Sequence, residues 1–404
     1  MVMTPKVIII GHGFSSRLGM IRTFGKMGCK VDVIVVCNRG KRTRRIKPVD
    51  CFSKYVNRVL YSDRNGREGL VELLLNECVD ATQKPVLIPD SDFAASAIDL
   101  NLERLKDFFL FPNIDLKEGR IVHWMDKLNQ KDLAKRIGMN VAKGCVVRIE
   151  NGVYDLPSDI HYPCFPKPLA SAYGGKRGMR KCNNERELRD VLDGWGVKDV
   201  DVLVEEFIPI SKEYAVVGFA NQKQVIIPAV IVLSQKGEGG HVGVAKIGEL
   251  IPVNGFESIV PRFMEFAQTV GLTGLFDIDF YESDGVFYFG EMNMRYGASG
   301  YALFKNGINL PGLLLNELLG GIVESLPIQT YSGHSVFMNE RVCIDDWFSG
   351  KNTLLQLHRE LKNREQGFVF DPDDQEPYRQ MKKTIWRMIP KRELLKVIRR
   401  FRHS

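Results

Sequence analysis

The chain has 404 residues, 44% of them hydrophobic and 10% aromatic, enough to bury a sizeable core across two or three domains. Its formal net charge of +7 is unevenly spread: residues 379–404 hold ten Lys/Arg and one Glu, leaving 46 basic against 48 acidic residues elsewhere. A nearly neutral body gives no reason to expect nucleic acid, and the absence of an apolar run of about eighteen residues gives none to expect a membrane span.

The N-terminal apolar piece is too short for a signal peptide, which points to a cytoplasmic protein. Eight cysteines without a C-x-x-C pair point to reduced thiols, with Cys29, Cys37, Cys164 and Cys182 as small core or surface residues.

In chain order, Lys6–Gly13 reads as a buried strand ending in a glycine turn, Ser15–Met27 as a helix and Val31–Val36 as a second strand. This βαβ opening predicts a parallel sheet covered by helices. Gly11-x-Gly13 is not a dinucleotide fingerprint, because the third glycine is misplaced and no acid closes the second strand. Gly11, Gly13 and Arg17 are nonetheless positioned to face a ligand from the strand ends. A basic cluster (Arg39, Lys41, Arg42, Arg44, Arg45, Lys47) follows. Lys84–Asp92 is another strand, and Asp90 and Asp92 are candidate caps for the helix after it.

Trp124–Ile137 reads as a helix ended by Gly138. Strands are expected around 144–148, 162–168 and 201–207. Between the last two lies Lys167-Pro168-Leu169-Ala170-Ser171-Ala172-Tyr173-Gly174-Gly175-Lys176. Lys167 would leave its strand toward a nucleotide, and Gly174-Gly175 would let backbone N–H groups approach phosphate. Strands 215–220 and 224–233 lead to a glycine-rich connection, 235–244, in which His241 is a candidate contact for a carboxylate substrate. Lys305 and Asn309 are further candidate substrate contacts.

The most informative stretch is 271–300, an apolar strand (LFDIDFYE), a Ser283-Asp284-Gly285 turn and a second strand (VFYFGEMNM). Alternation and turn chemistry predict a β-hairpin. Glu291 and Asn293 share a face; with Asp279 opposite them, three oxygen donors converge in a set suited to Mg²⁺ bridging phosphates. Arg295 continues that face as a fixed cation. Beyond residue 326 the pattern weakens: 371–377 reads as a polar linker. The tail places Leu394, Val397, Ile398 and Phe401 opposite Lys396, Arg399, Arg400 and Arg402. That pattern fits packing on the body, a solvated end, or an anionic membrane surface.

In their order and spacing, over about residues 6–320, Lys127 at its helix start, Lys167 with its glycine loop, the acidic strand before Ile208 and Asp279/Glu291-x-Asn293-x-Arg295 resemble the ATP-grasp superfamily. Arg295-Tyr296-Gly297-Ala298-Ser299 is similar to the branch that includes D-aspartate ligases and carbamoyl-phosphate-synthase-like carboxylate–amine ligases.

The resemblance implies an α/β fold with α+β ATP-binding lobes: an N-terminal open parallel-sheet domain (1–118), a lysine helix and small mobile lobe (119–208), a central antiparallel lobe (209–325) and a C-terminal helical extension (326–404). It implies ATP and Mg²⁺, with Mn²⁺ as a substitute. Lys127, Lys167, Ser171, Gly174 and Gly175 would hold phosphates. Glu205, Glu206, Phe207 and Ile208 would form the adenine hinge, and Glu213 would bind ribose. Asp279, Glu291 and Asn293 would hold the metal, and Arg295 with Lys167 would act in catalysis. Gly13, Arg17, Asp92, His241, Arg295 and Ser299 would face the substrate. The implied reaction joins a small carboxylate, such as an amino acid, to an amine through an acyl phosphate; an anionic nucleotide- or lipid-linked cell-envelope precursor suits the basic patches. A homodimer and peripheral contact with the inner membrane face are compatible with this reading, and a nucleotide-binding sensor or scaffold without ligase activity is the competing one.

Overall fold

The computed structural model describes residues 4–11, 14–36, 47–62, 66–169, 179–196, 198–236, 245–321 and 330–387. The N-terminal unit is built from β1 (Lys6–Gly11), α1 (Ser15–Lys26), β2 (Lys30–Val36), β3 (Val56–Ser62), α2 (Gly66–Glu77), β4 (Val86–Pro89), α3 (Asp92–Asp99) and a short α4 (Leu102–Leu105). Its sheet is parallel, in the order β3-β2-β1-β4. Val7 and Ile9 pack toward Met20, Ile21 and Phe24 of α1, whereas Ile8 and Ile10 pack toward Leu70, Leu74 and Ala97 on the opposite face. A continuous apolar run is therefore what a strand covered by helices on both faces requires.

Next come β5 (Asn113–Ile114), α5 (Arg120–Trp124) and α6 (Lys127–Arg136), then a three-stranded antiparallel sheet of β6 (Gly144–Ile149), β7 (Cys164–Pro168) and β8 (Val200–Glu206), ordered β6-β8-β7. Helix α7 (Glu185–Gly194) covers one face of this small lobe, packing Leu188, Val191 and Leu192 on Val147, Val202 and Val204.

The central sheet contains β9 (Lys212–Ala220), β10 (Val225–Ile226), β11 (Val230–Lys236), β12 (Ala245–Ile251), β13 (Leu272–Ser283) and β14 (Val286–Asn293), with α8 (Val260–Val270) connecting β12 to β13. Its main path runs β14-β13-β9-β11-β12 and continues into β15 (Ser335–Met338) and β16 (Gln366–Gly367). Phe263 and Phe266 of α8 cover one face of the sheet with Leu133 of α6. On the other face, α9 (Gly300–Lys305) and α10 (Leu310–Leu318) bring Leu303, Leu310 and Leu314 into the core that also holds Val7 and Phe24. The N-terminal unit and the central sheet thus share one core.

The β13–β14 turn bears out the sequence reading: Ser283 pairs with Val286 across a two-residue loop, and Asp284 and Gly285 have φ of 49° and 77°. Positive φ at both central positions is what a type I′ hairpin turn demands.

The C-terminal region departs from expectation. Asp371 and Asp374 are buried, so 371–377 is no solvated linker. Arg22 of α1, itself fully buried, donates to Asp374 Oδ2 at 2.9 Å, the Phe368 and Val369 carbonyls at 2.9 and 2.8 Å, and the Asp374 carbonyl at 2.9 Å. Glu340, at the start of α11 (Glu340–Phe348), accepts the N–H groups of Phe368, Val369 and Phe370 at 2.9 Å each. Helix α12 (Leu354–Asn363) and a helix over 376–387 complete this clasp through Leu357, Leu361, Met381 and Ile385. Among the described residues no helix is long and apolar enough to cross a membrane.

Candidate active site

The site begins with hairpin register. Asp279 stands opposite Glu291, and Asp277 opposite Asn293, on β13 and β14. Residues two apart share a face, so Asp277, Asp279, Glu291 and Asn293 lie together, with Arg295 following. The Arg295 guanidinium donates from Nε to Asp92 Oδ1 at 2.9 Å and from Nη2 to Asn293 Oδ1 at 3.2 Å. Burial alone would lower its pKa; the Asp92, Asp277 and Asp279 carboxylates outweigh that and raise it.

Asp277 was not singled out from the sequence, although its i−2 spacing from Asp279 marks the face. Its Oδ1 is buried without a hydrogen-bond partner. Burial first, then the Glu291 charge, push its carboxyl up to about 6, with Arg295 opposing. A Cβ at position 297 would collide with Asp277 Oδ2, so Gly297 is what allows the chain to pass so close.

Helix α6 delivers the first lysine. Asp126 caps it, accepting from Leu128 N–H at 2.7 Å and Asn129 N–H at 3.3 Å. Lys127, at the first helical position, brings Nζ to 3.4 Å from Glu291 Oε2. What aligns helix and strand is Gln130, another residue missed by sequence reasoning. Its side-chain amide donates to the Met292 carbonyl at 2.9 Å and accepts from Met292 N–H at 2.8 Å, closing the edge of β14 as a neighbouring strand would.

The second lysine comes from the small lobe. Lys167 Nζ lies 2.5 Å from Glu205 Oε2, and Lys131, one turn after Lys127, contacts Glu205 Oε1 and donates to the Ala142 carbonyl at 3.0 Å. Burial, then the charge of Lys167, pulls Lys131 down to about 7, while the Glu206 carboxylate acts in the opposite direction. The Glu205 side chain is thus committed to two lysines. Glu206 accepts from Lys143 N–H at 2.8 Å, Phe207 N–H donates to the Pro163 carbonyl at 2.8 Å, and Ile208 is half-buried beside them. Glu213 lies on β9 opposite Tyr281.

Several candidates fall elsewhere. Ser171, Gly174, Gly175, Gly13, His241 and Cys37 lie outside the described residues. Arg17 is buried against Asp50, with Nη1 donating to the Gly11 carbonyl, so it turns into the core and not toward a ligand. Ser91, not Asp90 or Asp92, caps α3, which leaves Asp92 for Arg295. Lys305 donates to the Gly367 and Phe370 carbonyls, and Asn309 caps α10 through Gly312 N–H; both are structural. Ser299 precedes α9 and makes no side-chain cap.

Residues 132–306 match the family model of the ATP-grasp domain. The chain carries an ATP-grasp domain. It is 26% identical over 214 residues to a D-alanine–D-alanine ligase of Geobacillus thermodenitrificans, covering 49% of this chain and 58% of that protein. The chain therefore spans a little over half the length of the curated relatives it matches first. Among solved structures, biotin carboxylase from Campylobacter jejuni superposes with a TM-score of 0.62 at 19% identity, covering 83% of this chain and 75% of that one. An L-amino acid ligase from Bacillus licheniformis superposes with a TM-score of 0.57 at 17% identity, covering 78% and 75%. At these identities the structural likeness is one of fold.

ATP-grasp ligases use ATP with Mg²⁺. The donor chemistry here fits that pair. Asp279, Glu291 and Asn293 are hard oxygen donors, and Lys127 and Arg295 already lean on two of them. No group of three or more His, Cys, Asp or Glu suited to a metal occurs among the described residues. An ion here would thus rest on two carboxylates, one amide and the nucleotide's own phosphates, the partial protein cage usual for Mg²⁺.

Proposed function

We propose that the protein is an ATP-dependent carboxylate–amine ligase acting on an amino-acid-like carboxylate. The observation that carries this reading is the β13–β14 face: Asp279 and Glu291 in register, Lys127 at 3.4 Å from Glu291, and Arg295 bridging Asn293 and Asp92. Similarity to a D-alanine–D-alanine ligase and to the fold of an L-amino acid ligase supports the substrate class.

The chemical difficulty is electrostatic, since a carboxylate must attack the γ-phosphorus of a polyanion. Asp279, Glu291 and Asn293 would hold Mg²⁺, which supplies charge neutralisation across the β- and γ-phosphates. Lys127 and Lys167, each now against a carboxylate, exchange that partner for phosphate oxygens. Arg295, fixed at Nε by Asp92, presents its remaining N–H groups to the transferring phosphoryl group and then to the acyl phosphate. The substrate amine attacks the acyl carbon, and inorganic phosphate leaves. An amine carried by an anionic cell-envelope precursor is the acceptor this reading favours.

Phosphate release is measured with ATP and Mg²⁺ over D- and L-amino acids, alone and with amine acceptors. ADP and phosphate should appear only when both a carboxylate and an amine are supplied. Asp279→Ala or Glu291→Ala should abolish turnover. Nucleotide binding without turnover across the whole panel, or an unaffected rate in either variant, would overturn the assignment.

A further inference from the structure

The small lobe holds two thiols that no step of the ligation uses. Cys164 opens β7, the edge strand of its sheet, and Cys182 lies in the extended chain that returns ahead of α7. Each donates its N–H to the other's carbonyl at 2.8 Å, making them a directly opposed antiparallel pair. Residues paired in this way hold their Cα atoms about 5.5 Å apart. That separation falls within the range that a disulfide spans. Directly opposed side chains share a face, and here both thiols are buried in the lobe's core, with the Cys182 thiol donating to the Arg180 carbonyl at 3.5 Å. Cys145, by contrast, is opposed to Val204.

The pair adjoins the nucleotide hinge through both of its chain neighbours. Pro163, before Cys164, accepts the Phe207 N–H at 2.8 Å, and the Lys181 ammonium, before Cys182, lies 4.8 Å from the centre of the Phe207 ring. Cys164 itself is paired with Glu206 on β8, and Lys167, three residues along β7, contacts Glu205. A bond between the two sulfurs would therefore pull on residues that frame the adenine site.

We propose that Cys164 and Cys182 form a reversible dithiol–disulfide pair whose oxidation state sets nucleotide affinity at the Phe207 hinge. The oxidant is a low-molecular-weight disulfide. One cysteine, as its thiolate, attacks a sulfur of that disulfide and expels one small thiolate. The second cysteine then attacks the mixed disulfide, closing the Cys164–Cys182 bond and expelling the other. Two protein protons and two electrons end on two small thiols, so the exchange balances. Burial pushes Cys164 up to about 12 and also raises Cys182, so both are protonated at neutral pH and react only when the strand edge opens. Exchange is accordingly slow. The bond stands apart from the ligase reading; its coupling to affinity rests on that reading.

The test uses the full chain equilibrated in glutathione/glutathione-disulfide buffers, then denatured, alkylated and mapped by mass spectrometry. The expected product is a Cys164–Cys182 crosslinked peptide, two hydrogens lighter than the reduced pair and absent after dithiothreitol. Titration of a fluorescent ATP analogue should show a dissociation constant shifted about fivefold or more between the two states. Cys164→Ala and Cys182→Ala should each keep the reduced-state affinity and lose the shift. Complete alkylation of both residues after oxidation, or a bond from either to Cys145, would overturn the pair whatever the protein ligates. A formed crosslink with unchanged affinity would overturn the coupling. The wild-type comparison needs no substitution, so an unstable variant leaves the test intact.

Discussion

Gln130→Leu isolates the contact that aligns α6 with β14. Gln130 is buried and bonds both backbone groups of Met292, at 2.9 and 2.8 Å, together with the Trp124 carbonyl at 2.7 Å. Leucine fills similar space but leaves Met292 N–H, Met292 O and Trp124 O without that partner. At about 1–3 kcal/mol for each buried group left unmet, less what water and the leucine recover, the net loss should be about 3 kcal/mol. Function should suffer separately, because Lys127 sits one turn ahead on the same helix, 3.4 Å from Glu291. Loosening that approach should lower kcat/KM for ATP about tenfold, or about 1.4 kcal/mol. Urea unfolding reads the first quantity and steady-state turnover the second. Asn129→Ala serves as control: among the described residues its side chain bonds only His123, so stability should change by less than about 1 kcal/mol. A Gln130→Leu loss below about 0.5 kcal/mol together with unchanged kcat/KM would refute the alignment argument.

Four further outcomes are expected. Lys131→Met should cost about 2–4 kcal/mol in chemical denaturation, since Glu205 keeps only Lys167; adding Glu205→Gln should recover part of the loss, and strict additivity would contradict the pairing. Arg22→Met removes four of the bonds that tie α1 to 368–374, leaving those of Lys26, and should cost about 3–5 kcal/mol, with limited proteolysis cutting first in the C-terminal clasp. Arg295→Lys, which cannot reach Asp92 and Asn293 together, should lower kcat at least about a hundredfold with little change in thermal stability; an unchanged kcat would remove Arg295 from the chemistry.

The fourth concerns pH. Burial, outweighing N–H bonds from Val122 and Ile121, raises the Asp99 carboxyl above its ordinary value. The folded chain then keeps that proton where the unfolded chain has lost it. Asp99 therefore makes stability fall as pH rises from about 4, the unfolded carboxylate value, through the raised folded one. Asp99→Asn should remove this slope, and a wild-type-minus-variant difference that stays flat between pH 3.5 and 7 would contradict it.

Local pattern alone determined a good deal about this protein. The β13–β14 hairpin was legible because alternation and Asp284-Gly285 are short-range signals, and the parallel opening because Val7–Ile10 has no polar face. The placement of Lys127 at a helix start and of Lys167, Glu291 and Asn293 on strands was legible because that geometry is set nearby, whereas the role proposed for Lys127 came from the family resemblance.

Only the tertiary structure decided which charged residues come together on the β13–β14 face. Arg17 and Arg295 look alike in sequence, yet one meets Asp50 in the core and the other meets Asp92 across a separation of 203 residues. Asp371 and Asp374 read as linker until Lys26 and Arg22, about 350 positions earlier in the chain, meet them respectively. A charge can be buried only where a distant partner offsets its lost hydration, and partners hundreds of residues apart leave no trace in local periodicity.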